Sequence, residues 1–194
     1  MGRTPLNRAI VIACMALAAI QASLAGSWRA DPTAGELTFE ATQAGARFTG
    51  SFERFGADIA FDPAAADACR FDVTIETVSA RTGESQRDGL LQGPDFFWTE
   101  RYPSASYRGS GCRHAGPGFE LDGALTLRGV TRPVKLEFSF APGPGGGRIS
   151  GSAILQRLDF GVGQGQWADT EWVGDAVTVR FDLALAPTGH RAVK

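Results

Sequence analysis

Histidines, cysteines and clustered carboxylates are the side chains of this 194-residue chain that could carry chemistry. His114 and His190 are candidates for a general base or a metal ligand, but neither has a second ligand at metal-site spacing. The sequence has no Gly-x-Ser-x-Gly nucleophile motif, no His-Glu-x-x-His pair and no paired-cysteine zinc motif. We therefore predict a protein that is not an enzyme and has no catalytic residue, metal site or cofactor.

A glycine-rich segment at residues 161–165 and the carboxylates around it are weaker candidates for a site. The glycines do not lead from a predicted strand into a helix, as the glycines of a phosphate-binding loop do. Arg157 and Asp159 occupy alternate positions and would share one face of a strand. There they would form either an exposed ion pair or a polar contact at a barrel end. We expect the nearby carboxylates to occupy turns or the rim of the barrel rather than to form a catalytic pair. These carboxylates are Asp159, Asp169, Glu171 and Asp175.

Cys69 and Cys112 are the two cysteines that follow the N-terminal segment. Cys69 begins one predicted strand and Cys112 ends the next, so antiparallel pairing of these strands would bring the two residues together. They form either a disulfide, as expected in an oxidising compartment, or two buried thiols.

Residues 1–25 have the pattern of a secretory signal peptide. Arg3 and Arg8 precede an apolar run over residues 9–20, and residues 23–25 (SLA) form a small-x-small cleavage site. The run is shorter than the roughly 20 residues that span a bilayer, which argues against a membrane anchor. A lipoprotein signal at Cys14 is a further alternative. We predict export, with cleavage after Ala25.

The remaining chain is long enough for one domain over residues 26–187, followed by a flexible tail at residues 188–194. The sequence has 19 basic and 21 acidic residues, for a net charge of −2, and contains no basic cluster. This charge pattern argues against a nucleic acid partner. No segment of the predicted domain is apolar over a membrane-spanning length.

Alternating apolar and polar residues predict strands over most of the domain. Residues 121–127 and 134–140 alternate on either side of a predicted turn at residues 129–133, and residues 176–185 alternate most regularly. One short helical insert is predicted at about residues 85–101. About eight strands without a βαβ rhythm predict an all-β fold, an eight-stranded antiparallel barrel.

Several motifs in order resemble the YceI-like family of exported bacterial proteins. The most characteristic is GALTLRGVTRPV, which is followed towards the C-terminus by RLDFG and VGDAV. Leu90 stands where the family often has a histidine, so this chain lacks a polar side chain at that position. The motifs lie at residues 48–52, 61–63, 87–103, 123–134, 157–161 and 173–177.

The resemblance implies an extended, lipocalin-like barrel in the periplasm. It implies an apolar tunnel for a long-chain isoprenoid or similar amphiphile, such as a polyprenyl phosphate, a quinone tail or a fatty-acid amide, held for transport or storage. The candidate tunnel residues, which would equally fill a solid core, are Phe39, Phe48, Phe52, Phe61, Phe71, Val73, Ile75, Leu125, Leu127, Phe138, Val177, Val179 and Phe181. Candidates for the mouth or for a headgroup contact are Arg87, Arg157, Trp98, Trp167 and Trp172.

Periodicity does not distinguish a hollow barrel from a filled one, so more than one function stays open. A hollow barrel would bind lipid, whereas a filled barrel would act through its surface in an interaction or a stress response. A lipid-acting enzyme is a weaker third alternative. The expected partners are a lipid ligand and, transiently, the inner membrane; the oligomeric state, monomer or dimer, stays open.

Overall fold

The computed structural model describes residues 26–144 and 146–187. The predicted signal peptide at residues 1–25 and the predicted tail at residues 188–194 lie outside the described residues. The described strands are β1 (Gly26–Gln43), β2 (Ala46–Phe52), β3 (Phe55–Phe61), β4 (Arg70–Glu76), β5 (Ala80–Arg81), β6 (Ser104–Ser110), β7 (Arg113–Ala115), β8 (Gly118–Leu127), β9 (Val130–Gly143), β10 (Gly146–Gln156) and β11 (Ala176–Pro187).

Antiparallel pairing closes these strands into a barrel, which confirms the predicted fold. From β1 the order around the barrel is β3, β4, β6, β8, β9, β10 and β11, and β11 pairs with β1 to close the sheet. Because β2 and β3 pair with successive parts of β1, they act together as one barrel strand. The short strands β5 and β7 extend the sheet from β2 and β8. The barrel therefore has eight strands.

Strand alternation directs the apolar side chains into the barrel, because residues directly opposite each other on antiparallel strands share a face. Leu121 of β8 pairs with Leu136 of β9, and Phe119 pairs with Phe138. Leu121 is completely buried, as is Ile149 on β10. The periodicity that predicted the strands thus also identifies the face that forms the core.

The turn between β8 and β9 is shorter than predicted. Arg128 and Gly129 have φ values of 52° and 76°, as in a two-residue type I′ turn, and Leu127 pairs with Val130 across it. The predicted turn at residues 129–133 is therefore wrong, and Pro133 lies within β9. Proline is tolerated at a sheet edge, and over this stretch β9 pairs with β8 alone among the described residues.

The helical insert is also shorter than predicted. The α-helix α1 (Ser85–Gln92) ends at Gly93, whose extended backbone (ψ 171°) is the conformation favoured before a proline. Residues 94–101 form turns, so the α-helix ends before the predicted bound of the insert at about residue 101. The described residues also contain four 3₁₀ segments that the sequence did not predict: Pro63–Ala68, Thr77–Ser79, Arg157–Phe160 and Gly165–Ala168.

A disulfide joins Cys69 to Cys112, with their Cα atoms 5.7 Å apart. The bond follows from the pairing of β4 with β6, which places Arg70 opposite Ser110 and brings the adjoining cysteines together. Both cysteines are buried. The bond closes a loop between residues that are 43 positions apart in sequence, and so restricts the unfolded chain.

Replacing both cysteines with alanine should lower the free energy of unfolding by about 4 kcal/mol, the loop-closure value for this separation. Urea unfolding followed by tryptophan fluorescence, under non-reducing conditions, measures the loss. A loss below about 1 kcal/mol would show that the unfolded chain is already restricted in some other way.

Candidate functional site

The barrel encloses a cavity of about 190 Å³. All eight barrel strands contribute to its wall, which is apolar apart from Thr77, Tyr107 and Arg157. A mainly apolar cavity of this size can accept an apolar molecule. The interior is therefore hollow over part of its length, which answers the question that periodicity left open.

Most of the predicted tunnel residues lie in this wall. They come from five strands and alternate with outward-facing residues, as the sequence predicted. Phe61 and Phe138 do not line the cavity, whereas the other eleven do: Phe39, Phe48, Phe52, Phe71, Val73, Ile75, Leu125, Leu127, Val177, Val179 and Phe181. Contact of these residues with a ligand stays a prediction.

Phe61 and Phe138 belong to an aromatic floor that fills one end of the barrel. We define this floor as Trp28, Phe61, Phe119, Phe138 and Phe140. The ring centroids of Phe61 lie 4.8, 5.4 and 5.3 Å from those of Phe119, Phe138 and Phe140, within the range of favourable aromatic pairs. These rings pack against one another and none of them lines the cavity, so Phe61 and Phe138 have a core-filling role.

The helical insert covers the opposite end of the cavity. Leu91, Phe96 and Phe97 are buried and line the cavity wall. Phe97 packs against Phe52, with ring centroids 6.0 Å apart. The guanidinium of Arg128 donates hydrogen bonds to the carbonyl oxygens of Pro94 and Phe96, at 3.0 and 3.4 Å. The insert is thus held to the barrel both by apolar packing and by a polar contact with the β8–β9 turn.

Arg157 is a buried cation in the cavity wall, with 5% of its surface exposed. Its Nε, Nη1 and Nη2 atoms donate to the carbonyl oxygens of Gly174, Val162 and Val173, at 3.0, 2.8 and 2.7 Å. Burial lowers the pKa of this guanidinium, while the charge of Asp175 acts in the opposite direction. These hydrogen bonds join the first residue after β10 to the segment that leads into β11.

The predicted pairing of Arg157 with Asp159 on one strand face is wrong. The two residues lie in the 3₁₀ segment Arg157–Phe160, where alternate residues do not share a face. Asp159 is exposed, and Asp175 is the carboxylate that acts on Arg157. Arg157 makes its polar contacts with backbone carbonyl oxygens instead.

Gly163 makes room for the Arg157 side chain. Its backbone has a φ of 89°, and a Cβ atom at this position would overlap the Nη1 atom of Arg157. The Gly163 N–H donates to the carbonyl oxygen of Asp95 at 2.7 Å, which ties the loop to the helical insert. The glycine-rich segment therefore surrounds an arginine.

Comparison with known proteins identifies the family. The sequence model of the YceI-like domain matches residues 28–185. The chain belongs to the YceI family. Protein YceI of Escherichia coli is 35% identical over 119 residues, or 58% of this chain and 62% of that protein. The chain thus spans less than two thirds of the length of this curated relative.

Two solved structures have the same barrel. BcnA of Burkholderia cenocepacia is 28% identical, with a TM-score of 0.77 over 80% of this chain and 98% of BcnA. A polyisoprenoid-binding domain from Saccharophagus degradans is 18% identical, with a TM-score of 0.61 over 84% of this chain and 99% of that domain. The second likeness is evidence for the fold alone.

The remaining mouth candidates of this YceI-like barrel are not among the residues that line the cavity. Arg87 forms an ion pair with Glu84 at 2.9 Å, and its guanidinium lies 4.3 Å from the ring centroid of Phe48, a wall residue. Trp167 packs against Phe96, with ring centroids 5.6 Å apart. Half of Trp172 is exposed, and Val173 beside it lines the cavity.

Trp98 lies in the turn after α1, away from the cavity. Its ring is flanked by the guanidinium groups of Arg101 and Arg128, at 4.9 and 5.5 Å from the centroid. The ring of Tyr102 contacts it edge-on at 5.9 Å. These contacts hold the turn in place, and a role of Trp98 at the cavity mouth stays a prediction.

Tyr107 is a cavity residue that the sequence did not single out. Its hydroxyl lies 3.3 Å from the carbonyl oxygen of Leu121 and 3.2 Å from that of Val134. Burial, helped by the charge of Asp122, raises the pKa of this phenol. A Cβ atom at Gly123 would overlap the hydroxyl. The only sequence signal was the inward register of Tyr107 within β6.

Neither a metal site nor a spanning helix is found in the described part of the chain. No three His, Cys, Asp or Glu side chains lie close enough there to hold a metal ion. No described helix has both the length and the apolar character needed to cross a membrane.

Gly163→Ala should destabilise the protein more than Gly165→Ala. Both glycines have positive φ values, 89° and 59°, but a Cβ atom at Gly165 meets no atom within 4 Å. Gly165→Ala should therefore cost only the backbone strain of about 1–2 kcal/mol. Displacement of the Arg157 guanidinium should add at least about 2 kcal/mol in Gly163→Ala, because buried carbonyl oxygens lose their donors. Equal losses of unfolding free energy in urea would contradict this role of Gly163.

Proposed function

We propose that this YceI-like protein is an exported lipid-binding protein, located in the periplasm, that holds a long-chain isoprenoid or similar amphiphile for transport or storage. The observation that carries the proposal is the apolar cavity of about 190 Å³ inside the barrel. The polyisoprenoid-binding domain from Saccharophagus degradans has the same fold. Transient contact with the inner membrane, where such lipids reside, belongs to the same proposal.

The wall chemistry supports an apolar tail as the bound group. Alanine, valine, leucine, isoleucine and phenylalanine provide most of the lining, so little of the wall can form hydrogen bonds with a ligand. Burial of each methylene-sized unit contributes about 0.8 kcal/mol before the cost of ordering the chain. An isoprenoid or acyl tail, which has no hydrogen-bonding groups along its length, suits these surroundings.

The disulfide supports the export part of the proposal. Disulfides between buried cysteines persist in oxidising compartments such as the bacterial periplasm and are rare in the cytosol. Cys69 and Cys112 form such a bond. The signal-peptide pattern of residues 1–25 points to the same compartment.

Mass spectrometry of an organic extract tests the proposal directly. The protein is secreted by a bacterial host and purified without detergent, and the extract is compared with that of an unrelated secreted protein. We expect a prenyl lipid, quinone or long-chain amide in about stoichiometric amount. An empty extract, together with no binding of added geranylgeraniol, would overturn the proposal.

Ala153→Phe should weaken geranylgeraniol binding by at least about tenfold, whereas Ile154→Phe should not change it. Ala153 is buried in the cavity wall, and a phenyl ring there occupies the space of the ligand. Ile154 is the next residue of β10, faces outward and is 68% exposed. Fluorescent-dye displacement measures the affinities, and thermal unfolding shows that both variants are folded. Equal binding by the two variants would place the ligand outside this cavity.

A further inference from the structure

The barrel wall has a gap in strand pairing between β9 and β10, near the covered end of the cavity. The two strands pair from Gly143 opposite Gly146 as far as Glu137 opposite Ser152. Beyond that pair, residues 130–136 of β9 pair only with β8, and residues 153–156 of β10 pair only with β11, within the described chain. We call this gap the side window.

The side window borders the cavity on both sides. Val134 and Leu136 on the β9 side and Ala153 and Leu155 on the β10 side all line the cavity wall. The 3₁₀ segment Arg157–Phe160 follows the end of β10 and lies against β9. A ligand tail in the cavity could therefore leave its polar end at the side window.

Arg132 stands on the β9 edge of the side window. It pairs with Leu125, which is buried and lines the cavity, so the register places Arg132 on the inner face of the sheet. Arg132 is nevertheless exposed. In the described strands it is the one permanently charged residue that the register puts on the inner face.

No described residue neutralises the charge of Arg132. Its one hydrogen bond runs from Nη1 to the carbonyl oxygen of Thr131, at 3.3 Å. No carboxylate of the described residues lies within ion-pair distance of it, whereas Arg87 is paired with Glu84. Arg157 differs again, because backbone carbonyl oxygens accept from all three of its nitrogens. Arg132 therefore keeps most of its donors for another group.

We propose that Arg132 binds an anionic headgroup, a phosphate or a carboxylate, of the lipid whose tail fills the cavity. The proposal rests on the proposed function and deepens it, since it selects an anionic lipid over a neutral quinone or amide. A guanidinium presents its N–H groups in a fork that matches two oxygens of a phosphate or carboxylate. At the side window it can reach such a group while the tail lies among apolar residues.

The test compares two lipids that differ only in the headgroup, geranylgeranyl phosphate and geranylgeraniol. Their affinities are measured by calorimetry for the wild-type protein and for Arg132→Gln, Arg132→Lys and Arg70→Gln. Arg70→Gln is the matched control, because Arg70 is exposed, lies on the outward register of β4 and has no ion pair with a described residue. Gel filtration and thermal unfolding show that each variant is monodisperse and folded.

We expect the wild-type protein to prefer the phosphate by about five- to tenfold at low salt, and less at high salt. Arg132→Gln should remove this preference by weakening phosphate binding while alcohol binding is unchanged. Arg132→Lys should keep most of the preference, and Arg70→Gln should keep all of it. Inorganic phosphate alone should not bind detectably at millimolar concentration.

Other outcomes overturn the proposal in distinguishable ways. Equal affinity for the two lipids in every protein would overturn the headgroup site and leave the proposed function standing. Equal weakening of both lipids in Arg132→Gln, or aggregation with unchanged selectivity, would assign Arg132 to protection of an open strand edge. Binding of inorganic phosphate that Arg132→Gln abolishes would make this a free-anion site. Failure of the wild-type protein to bind either lipid would overturn both proposals.

Discussion

Pairing of β1 with β11 closes the sheet, and the closed wall sets the width of the interior. An eight-stranded barrel is just wide enough for side chains to fill it, so the size of the inward residues decides what remains empty. At one end, five aromatic rings form the floor and fill the space. Around the cavity the wall includes smaller residues such as Ala57, Ala105 and Ala153, and the space between them remains open.

A hollow barrel lacks the packing contacts that a filled core would provide, so other interactions must hold its wall in place. Arg157 joins β10 to the segment before β11, and the disulfide joins the chain near the start of β4 to the chain after β6. The side window is one part of the wall where described strands are not paired with each other. Its β9 edge carries Pro133 and Lys135, residue types that discourage edge-to-edge association of sheets. These residues let the β9 edge stay unpaired without promoting aggregation of the barrel.

Much of the architecture follows from local patterns that need no knowledge of distant contacts. Period-two alternation identified the main strands and their inner faces, because only one face of each strand is buried. The same alternation selected Phe39, Val73 and Val179 as wall residues. The ends of the strands were predicted less well, as at the β8–β9 turn. Arg128 has a positive φ there, and non-glycine residues seldom adopt that conformation, so the sequence did not indicate a turn at this position.

The sequence by itself determined the all-β class, the inward residues, the single helical insert and the cysteines that could meet. Phe61, Phe71 and Phe138 all have the same inward register. Only the tertiary structure decided that Phe61 and Phe138 belong to the floor whereas Phe71 lines the cavity. It likewise decided that Arg157 is buried among carbonyl oxygens and that Arg132 is exposed on the inner face. Periodicity reports the face of a strand, whereas position along the barrel and the end of strand pairing depend on which distant segments come together.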